Sequence, residues 1–294
     1  MMINNRGIAL VQVLLITAIL TIFALYFTKS AKNQVEMAQW STDRARAEVE
    51  LHSAQNELIF TLFTNQKKVI NNSDSGTSLT EKWNFFNMPF EVNKFVKAQI
   101  QDQSALLSLH FLDKNVFVKF LTANNIEFSR AEQIADHLLD WQDIDNIPRP
   151  LGAEQLGDAP FRNGFIPDQT DIENAIALSE EEKQLIYNNT TTYFNGSFNP
   201  ITASKELLAT FSDEFSAQLF IDERRQGNNL TSLDFKRLTG AKETENMNFL
   251  PVNTLAIRLT AKVGDVVLTR NLVISLSRYA VGKTSPIYFL LEKS

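Results

Sequence analysis

The densest group of side chains capable of chemistry lies in one short segment, DWQDIDNIPRPLGAE, whose carboxylates are Asp140, Asp143, Asp145 and Glu154. A hard cation such as Ca²⁺ takes about six to eight oxygen ligands, and closely spaced carboxylates on a loop can supply several of them. The segment lacks the ligand spacing of an EF-hand. It predicts either a cation site or, as the alternative, side-chain-to-backbone turns at Asp143 and Asp145 with ion pairing to Arg149.

No arrangement typical of catalysis accompanies these carboxylates. The chain has no cysteine, and its three histidines, His52, His110 and His137, lie far apart in the sequence. It carries no P-loop, no GxSxG, no HExxH and no dinucleotide-binding fingerprint. The net charge is −6, and lysine and arginine are scattered, so no basic stripe indicates nucleic-acid binding. The sequence predicts a protein that is not an enzyme and does not bind nucleic acid.

An uncharged apolar run, Ile8 to Phe27, indicates a membrane segment. Its polar residues are Gln12, Thr17 and Thr21. About twenty apolar residues are what an α-helix needs to cross a hydrocarbon core of about 30 Å. The run is too long for an ordinary secretory signal and contains no small-residue cleavage site. Hydropathy alone therefore predicts a membrane anchor behind a leader of residues 1–7.

The helix is expected to continue beyond the membrane. Residues 29–65 contain no proline or glycine and are rich in strong helix formers. Apolar residues recur at close to the helical period: Val35, Ala38, Ala45, Val49, Leu58, Ile59, Leu62 and Phe63. We predict one helix over residues 8–65, with its first half in lipid and its second half packed on a soluble head.

Two regions of alternating apolar and polar residues predict the strands of that head. They lie within residues 88–110 and 250–291, and Gly264-Asp265 separates two runs of the second region in the manner of a hairpin turn. The residues between the two regions have helical patterns, with Ser129 and Ser179 as predicted N-caps and a weak repeat relating 128–136 to 214–222.

The predicted fold class is α+β. A long N-terminal helix packs on an antiparallel sheet formed by residues 66–112 and 246–294, and residues 113–245 form a large inserted all-α domain of two helix-hairpin units.

The junction of Arg6-Gly7 with the apolar helix resembles the class III signal of type IV pilins and pseudopilins. That resemblance implies that prepilin peptidase cuts after Gly7 and that Ile8 becomes the N-methylated first residue. Those families normally carry glutamate at the fifth mature position, whereas this chain has the neutral Gln12.

The segment D-W-x-D-x-D-x-x-P-R-P-x-G-A-E resembles the general secretion pathway protein K family, the large minor pseudopilins of type II secretion systems. The stretches FNPITASKELL (198–208) and TSLD (231–234) are similar to later parts of that family. Members of the family also lack the glutamate that other pseudopilins carry. A carboxylate in lipid needs a partner, and a subunit at the tip of a filament has no neighbour above it to supply one.

The resemblance implies a pseudopilin fold whose insert has SAM-like units. It also implies a single-pass inner-membrane protein with a periplasmic head, which joins other minor pseudopilins at the pseudopilus tip. Calcium is implied in the head, and Asp140, Asp143, Asp145 and Glu154 are the candidate ligands. The alternative from a different functional class is a membrane-anchored periplasmic enzyme or ligand-binding domain, whose helical insert forms a cleft.

Overall fold

The computed structural model describes residues 6–68, 79–156, 159–160, 162–193, 196–227, 230–277, 279–282 and 284–293 of the 294. Leader residues 1–5 and the polar stretch 71–78 lie outside the described residues.

The first element is a single helix, α1 (Arg6–Thr64), of 59 residues. Its length is about 88 Å at 1.5 Å per residue. Large apolar side chains from Leu10 to Phe27 are exposed. Within that stretch Thr17 donates its hydroxyl to the carbonyl of Val13 (3.0 Å), and Thr21 donates to the carbonyl of Thr17 (2.8 Å). By length and composition α1 could cross a membrane, and its polar hydroxyls are already satisfied within the helix.

The remaining elements follow in chain order. They are β1 (Phe90–Glu91), β2 (Val96–Asp102), β3 (Leu107–Ser108), α2 (Lys114–Ala123), α3 (Phe128–Gln142), β4 (Gln155–Leu156), β5 (Ala159–Pro160), α4 (Ile172–Ala175), α5 (Glu180–Asn189), β6 (Thr190–Thr191), α6 (Lys205–Phe211), α7 (Glu214–Arg225), α8 (Ser232–Thr239), β7 (Thr254–Val263), β8 (Val266–Leu276) and β9 (Ile287–Lys293).

Five of the strands form one antiparallel sheet in the order β1-β2-β7-β8-β9. β7 and β8 meet through the predicted hairpin, in which Val263 pairs with Val266 across Gly264-Asp265. Gly264 has a φ of +56°, a left-handed conformation that favours glycine. The predicted antiparallel sheet and its C-terminal hairpin are confirmed.

The last third of α1 packs on this sheet. Its buried residues recur every three or four positions, and they are Ala47, Leu51, Ala54, Leu58 and Leu62. The predicted stripe was wrong at Val35 and Val49, which are 69% and 67% exposed, and at Ala38 and Ala45, which are exposed as well. Val49 lies two residues before Leu51 and therefore faces the opposite side of the helix, because successive residues are rotated by about 100°. Val35 lies on the part of α1 that projects beyond the head.

Along the chain, the helical elements lie between β2 and β7, which are neighbouring strands of the sheet. These elements form a second core. α2 packs against α3 and α6 against α7, so the two repeated segments each form the second helix of a hairpin. The capping box of Ser179 and Glu182 is confirmed. The predicted cap at Ser129 was wrong, because α3 begins one residue earlier and Glu127 caps it by accepting the backbone N–H of Arg130 (3.1 Å).

A buried carboxylate fastens the insert to the sheet. Asp102, at the end of β2, is 0% exposed. It accepts hydrogen bonds from Asn199 Nδ2 (2.8 Å) and Thr202 Oγ1 (2.8 Å) of the insert, and from the backbone N–H of Val252 (3.2 Å) where the chain returns to the sheet. Ser104 adds its backbone N–H (3.1 Å) and its hydroxyl (2.7 Å). One charged group therefore joins both crossings between sheet and insert.

Candidate functional site

The predicted acidic segment folds back on the last turn of α3. Asp140 lies on α3 and is fully buried, and Asp143 is the C-cap of that helix. The chain then returns so that the backbone N–H of Arg149 donates to Asp140 Oδ2 (3.1 Å). The N–H of Gly152 closes the turn on the carbonyl of Arg149 (3.1 Å). This return brings the far end of the segment, Glu154, next to α3.

Gly152 permits the return because its backbone passes directly over a carboxylate. A Cβ on this residue would lie 1.9 Å from Asp140 Oδ2, and no real Cβ approaches an atom that closely. Gly152 was not among the predicted site residues. Its position two residues before Glu154, in a segment dense in carboxylates, was the available signal.

Three of the four predicted ligands come together. One carboxylate oxygen from each of Asp140, Asp143 and Glu154 lies within 4.8 Å of the others. Arg149 binds Asp140 and also donates to Asp143 Oδ2 (2.5 Å). Asp143 Oδ1 and both carboxylate oxygens of Glu154 are enclosed and receive no hydrogen bond from any described residue. The site thus presents three enclosed anionic oxygens to which no described residue donates.

The electrostatics of the cluster also favour a bound cation. Burial, followed by the negative charges of Asp140, Asp143 and Asp145, raises the pKa of Glu154. Three carboxylates face one guanidinium, so Arg149 compensates only part of their charge. A group that must lose its proton next to other anions is stabilised by a cation.

The donor set fits Ca²⁺. Oxygens that surround one Ca²⁺ at about 2.3–2.6 Å lie up to about 5 Å apart, which matches the observed spacing. Asp145 is not part of this cluster, because it is exposed and its Oδ1 accepts the N–H of Ile147 (2.9 Å). Of the alternative without a cation, the local turn at Asp145 and the ion pair of Arg149 with Asp143 are present. Glu154 faces the cluster without a donor from any described residue, and the cation site stays a prediction.

The tryptophan of the segment is anchored by a carboxylate that sequence analysis missed. Trp141 Nε1 donates to Asp171 Oδ2 (2.8 Å), and Arg162 Nε donates to the same oxygen (2.6 Å). The surrounding hydrogen bonds lower the pKa of Asp171 against the opposing effect of burial. Asp171 lies 30 residues beyond Trp141, a separation at which sequence spacing carries no signal. This anchor fixes the end of α3, and hence the positions of Asp140 and Asp143.

The predicted processing residues lie at the other end of the molecule. The backbone of Gly7 and Ile8 belongs to the first turn of α1. Gln12 is exposed on α1 among apolar side chains. The apolar segment that could cross a membrane therefore holds the neutral polar side chain of Gln12 and no carboxylate.

Comparison with known proteins identifies a fold. No protein-family model matches this sequence, and no curated protein matches it significantly. Among the five solved chains that match in structure is one from the crystal structure of the GspK-GspI-GspJ complex of the enterotoxigenic Escherichia coli type 2 secretion system. The match has a TM-score of 0.51 and 16% sequence identity, and it covers 90% of this chain and 98% of that chain. The chain has a pseudopilin-like fold.

The pseudopilin-like fold confirms the predicted fold class, a long N-terminal helix on an antiparallel sheet with helices inserted between two of its strands. At this level of sequence identity the likeness concerns the fold alone.

Proposed function

We propose that this protein is a minor pseudopilin at the tip of a type II secretion pseudopilus. There it nucleates and caps assembly together with other minor pseudopilins, for export of folded proteins across the outer membrane. The observation that carries this proposal is an exposed apolar helix that continues without a break into the core of a pseudopilin-like head. The matching chain itself comes from a complex of pseudopilins.

The orientation of the insert supports a terminal position. Gly264, in the β7–β8 turn, lies beside Asp43 on the side of the head nearest the apolar part of α1. At the opposite end, Lys67 Nζ donates to Asn253 Oδ1 (2.8 Å), where the insert rejoins the sheet. The insert therefore sits at the end of the head farthest from the apolar segment, where it obstructs a subunit stacking above.

The neutrality of Gln12 supports the same position. A carboxylate within lipid is costly unless a partner neutralises it. A subunit without a neighbour above it has no amine from that neighbour to serve as partner. The neutral amide of Gln12 avoids an unpaired charge and still forms hydrogen bonds.

The proposal places α1 in the inner membrane and the head in the periplasm, with prepilin peptidase cutting after Gly7. Replacing Gly7 with a larger residue tests it, because uncut precursor should accumulate in cells that contain the peptidase. Replacing Asn5, just outside the apolar run, is the matched control and should leave maturation intact. Normal maturation of the Gly7 variant would contradict the proposal.

We propose further that Asp140, Asp143 and Glu154 hold Ca²⁺ in the head, with Asp145 contributing negative charge from outside the cluster. At a Ca²⁺ concentration of about 100 times Kd, binding would stabilise the fold by about 2.7 kcal/mol. Adding a chelator to the purified protein should lower its melting temperature, and Ca²⁺ should restore it. An unchanged melting temperature would refute the cation site without touching the assembly proposal.

A second candidate function is favoured by one observation. A cavity lies between the insert and the part of the head that contains the five-stranded sheet, as expected for a membrane-anchored ligand-binding domain. Co-purification discriminates the two functions, since a tip subunit should be isolated with other pseudopilins and a solitary binding domain should not.

A further inference from the structure

A cavity of about 520 Å³ lies where the helical insert meets the part of the head that contains the five-stranded sheet. Ligand sites occupy about 300–1,000 Å³ and are common at such junctions. Part of the wall is aromatic and includes Trp83, Phe86 and Phe249. Basic side chains outnumber acidic ones in the lining, where Glu81 stands against Lys67, Lys68, Lys82, Arg224 and Arg225. The cavity thus combines an apolar surface with positive charge.

Arg224 is the unusual member of this lining. Its Nη1 donates to the carbonyls of Ile201 (3.0 Å) and Ala203 (2.7 Å), and its guanidinium carbon lies 4.3 Å from the centre of the Phe86 ring. These contacts hold the side chain in place. Its Nε is enclosed and donates to no described residue.

No carboxylate among the described residues forms an ion pair with Arg224. Burial lowers the pKa of Arg224 to about 9, so the group remains charged at neutral pH. An enclosed cation without a counter-charge is costly, and a hydrogen-bonding anion offsets that cost. Arg225 adds to the positive charge, because its ion pair among the described residues is loose, with Nη1 4.0 Å from Asp222 Oδ1.

We propose that this cavity binds an organic carboxylate that carries an apolar body. The carboxylate accepts a hydrogen bond from Arg224, and the apolar body packs on Phe86 and Phe249. An inorganic anion would leave the aromatic wall uncovered, and a neutral apolar molecule would leave Arg224 without a counter-charge. The proposal is independent of the role at the pseudopilus tip, since a tip subunit and a solitary receptor could each carry such a site.

Photo-crosslinking tests the site directly. Full-length protein in lipid nanodiscs is irradiated with 4-benzoylbenzoate, which joins a carboxylate to an aromatic photoreactive group, and the labelled peptides are mapped by mass spectrometry. Labelling should fall on peptides that line the cavity, and 4-phenylbutyrate should compete. The neutral analogue 4-benzoylbenzamide should label at least about tenfold less, because the charge-assisted hydrogen bond is lost.

Two variants separate the charge from the fold. Arg224→Gln should weaken labelling by about tenfold or more, whereas the matched control Arg237→Gln, an exposed arginine on α8 outside the lining, should not. Met88→Trp should block the cavity while leaving Arg224 in place. If Arg224→Gln fails to fold, Met88→Trp alone decides, and labelling of Met88→Trp at the wild-type level would overturn the proposal.

Other outcomes would also overturn the proposal. Labelling outside the cavity, or equal labelling by acid and amide, would show that the carboxylate does not direct binding. Asp74 lies outside the described residues and is the acidic residue between Lys68 and Leu79 in the sequence. If a double-mutant cycle shows that Asp74 and Arg224 stabilise each other, the counter-charge belongs to the chain itself and the ligand proposal is wrong.

Discussion

The carboxylate of Asp102 should be the strongest single fastening between insert and sheet. Its Oδ1 accepts two backbone N–H groups, of Ser104 and Val252, and its Oδ2 accepts donors from three side chains, those of Ser104, Asn199 and Thr202. Replacement by asparagine exchanges one acceptor oxygen for an NH₂ donor. The least damaging orientation keeps the amide oxygen toward the two backbone groups. The new NH₂ group then faces Asn199 Nδ2, and two donors confront each other.

The magnitude follows from the groups left unpaired. Serine and threonine hydroxyls can reverse and accept, but the amide NH₂ of Asn199 cannot. Loss of a charge-assisted hydrogen bond together with a buried donor left unsatisfied costs about 2–4 kcal/mol. We therefore expect Asp102→Asn to lower the free energy of unfolding by about that amount. Asp265→Asn, on the exposed β7–β8 turn, is the matched control and should change it by less than about 0.5 kcal/mol.

A reciprocal exchange sharpens the test. Asn199→Asp alone places two carboxylates about 3 Å apart and should also destabilise the protein. The double variant restores a donor opposite an acceptor, so it should recover part of the loss, with a coupling of about 0.5–3 kcal/mol. Urea denaturation of the purified protein, followed by tryptophan fluorescence and circular dichroism, measures all four species. Additive losses, or a loss for Asp102→Asn no larger than for the control, would refute the reasoning.

Three further predictions concern the acidic segment and the helix–sheet contact. Gly152→Ala should lower the free energy of unfolding by about 1–3 kcal/mol, because the new Cβ overlaps Asp140. Gly164→Ala is the control and should be tolerated, because a Cβ there meets no atom closer than 3.9 Å. Equal denaturation midpoints for the two variants would contradict this prediction. Without a cation, Glu154→Gln should be more stable than wild type above the raised pKa of Glu154. This difference in stability should vanish as the pH falls below about 4.3, the pKa of glutamate in the unfolded chain. At neutral pH Ca²⁺ should make the wild type the more stable of the two proteins. Melting curves that show no pH-dependent difference between them would refute the prediction. Arg270→Met should lower the free energy of unfolding by about 2–3 kcal/mol, because the buried guanidinium joins β8 to Gln55 (2.8 Å) and Glu48 (3.1 Å) of α1. Arg258→Met, at an exposed arginine, is the control, and equal losses in the two variants would argue against the contact.

The elements that local patterns specify could be predicted from sequence. An uninterrupted run of helix formers set the extent of α1, and a Gly-Asp pair between alternating runs set the β7–β8 hairpin. The position of the insert followed from strand patterns on both sides of a helical block.

Long-range partners could not be predicted, because sequence spacing does not specify which distant groups meet. Asp102 lies within an alternating strand pattern, yet three of its donors come from positions 97 to 150 residues further along the chain. The buried face of α1 was partly mispredicted, because small residues such as Ala47 and Ala54 pack on the sheet while the larger Val49 faces away. In the acidic segment the ligand types were evident, but the return of the chain at Gly152 decided that Glu154, and not Asp145, joins Asp140 and Asp143.

The mass of the mature N terminus tests the central proposal most directly. Protein purified from cells that contain a prepilin peptidase should begin at Ile8, and that residue should carry one added methyl group on its amine. Top-down mass spectrometry resolves both features in one spectrum. An intact Met1, or a new N terminus beyond residue 27, would contradict assignment of this protein to the pseudopilus.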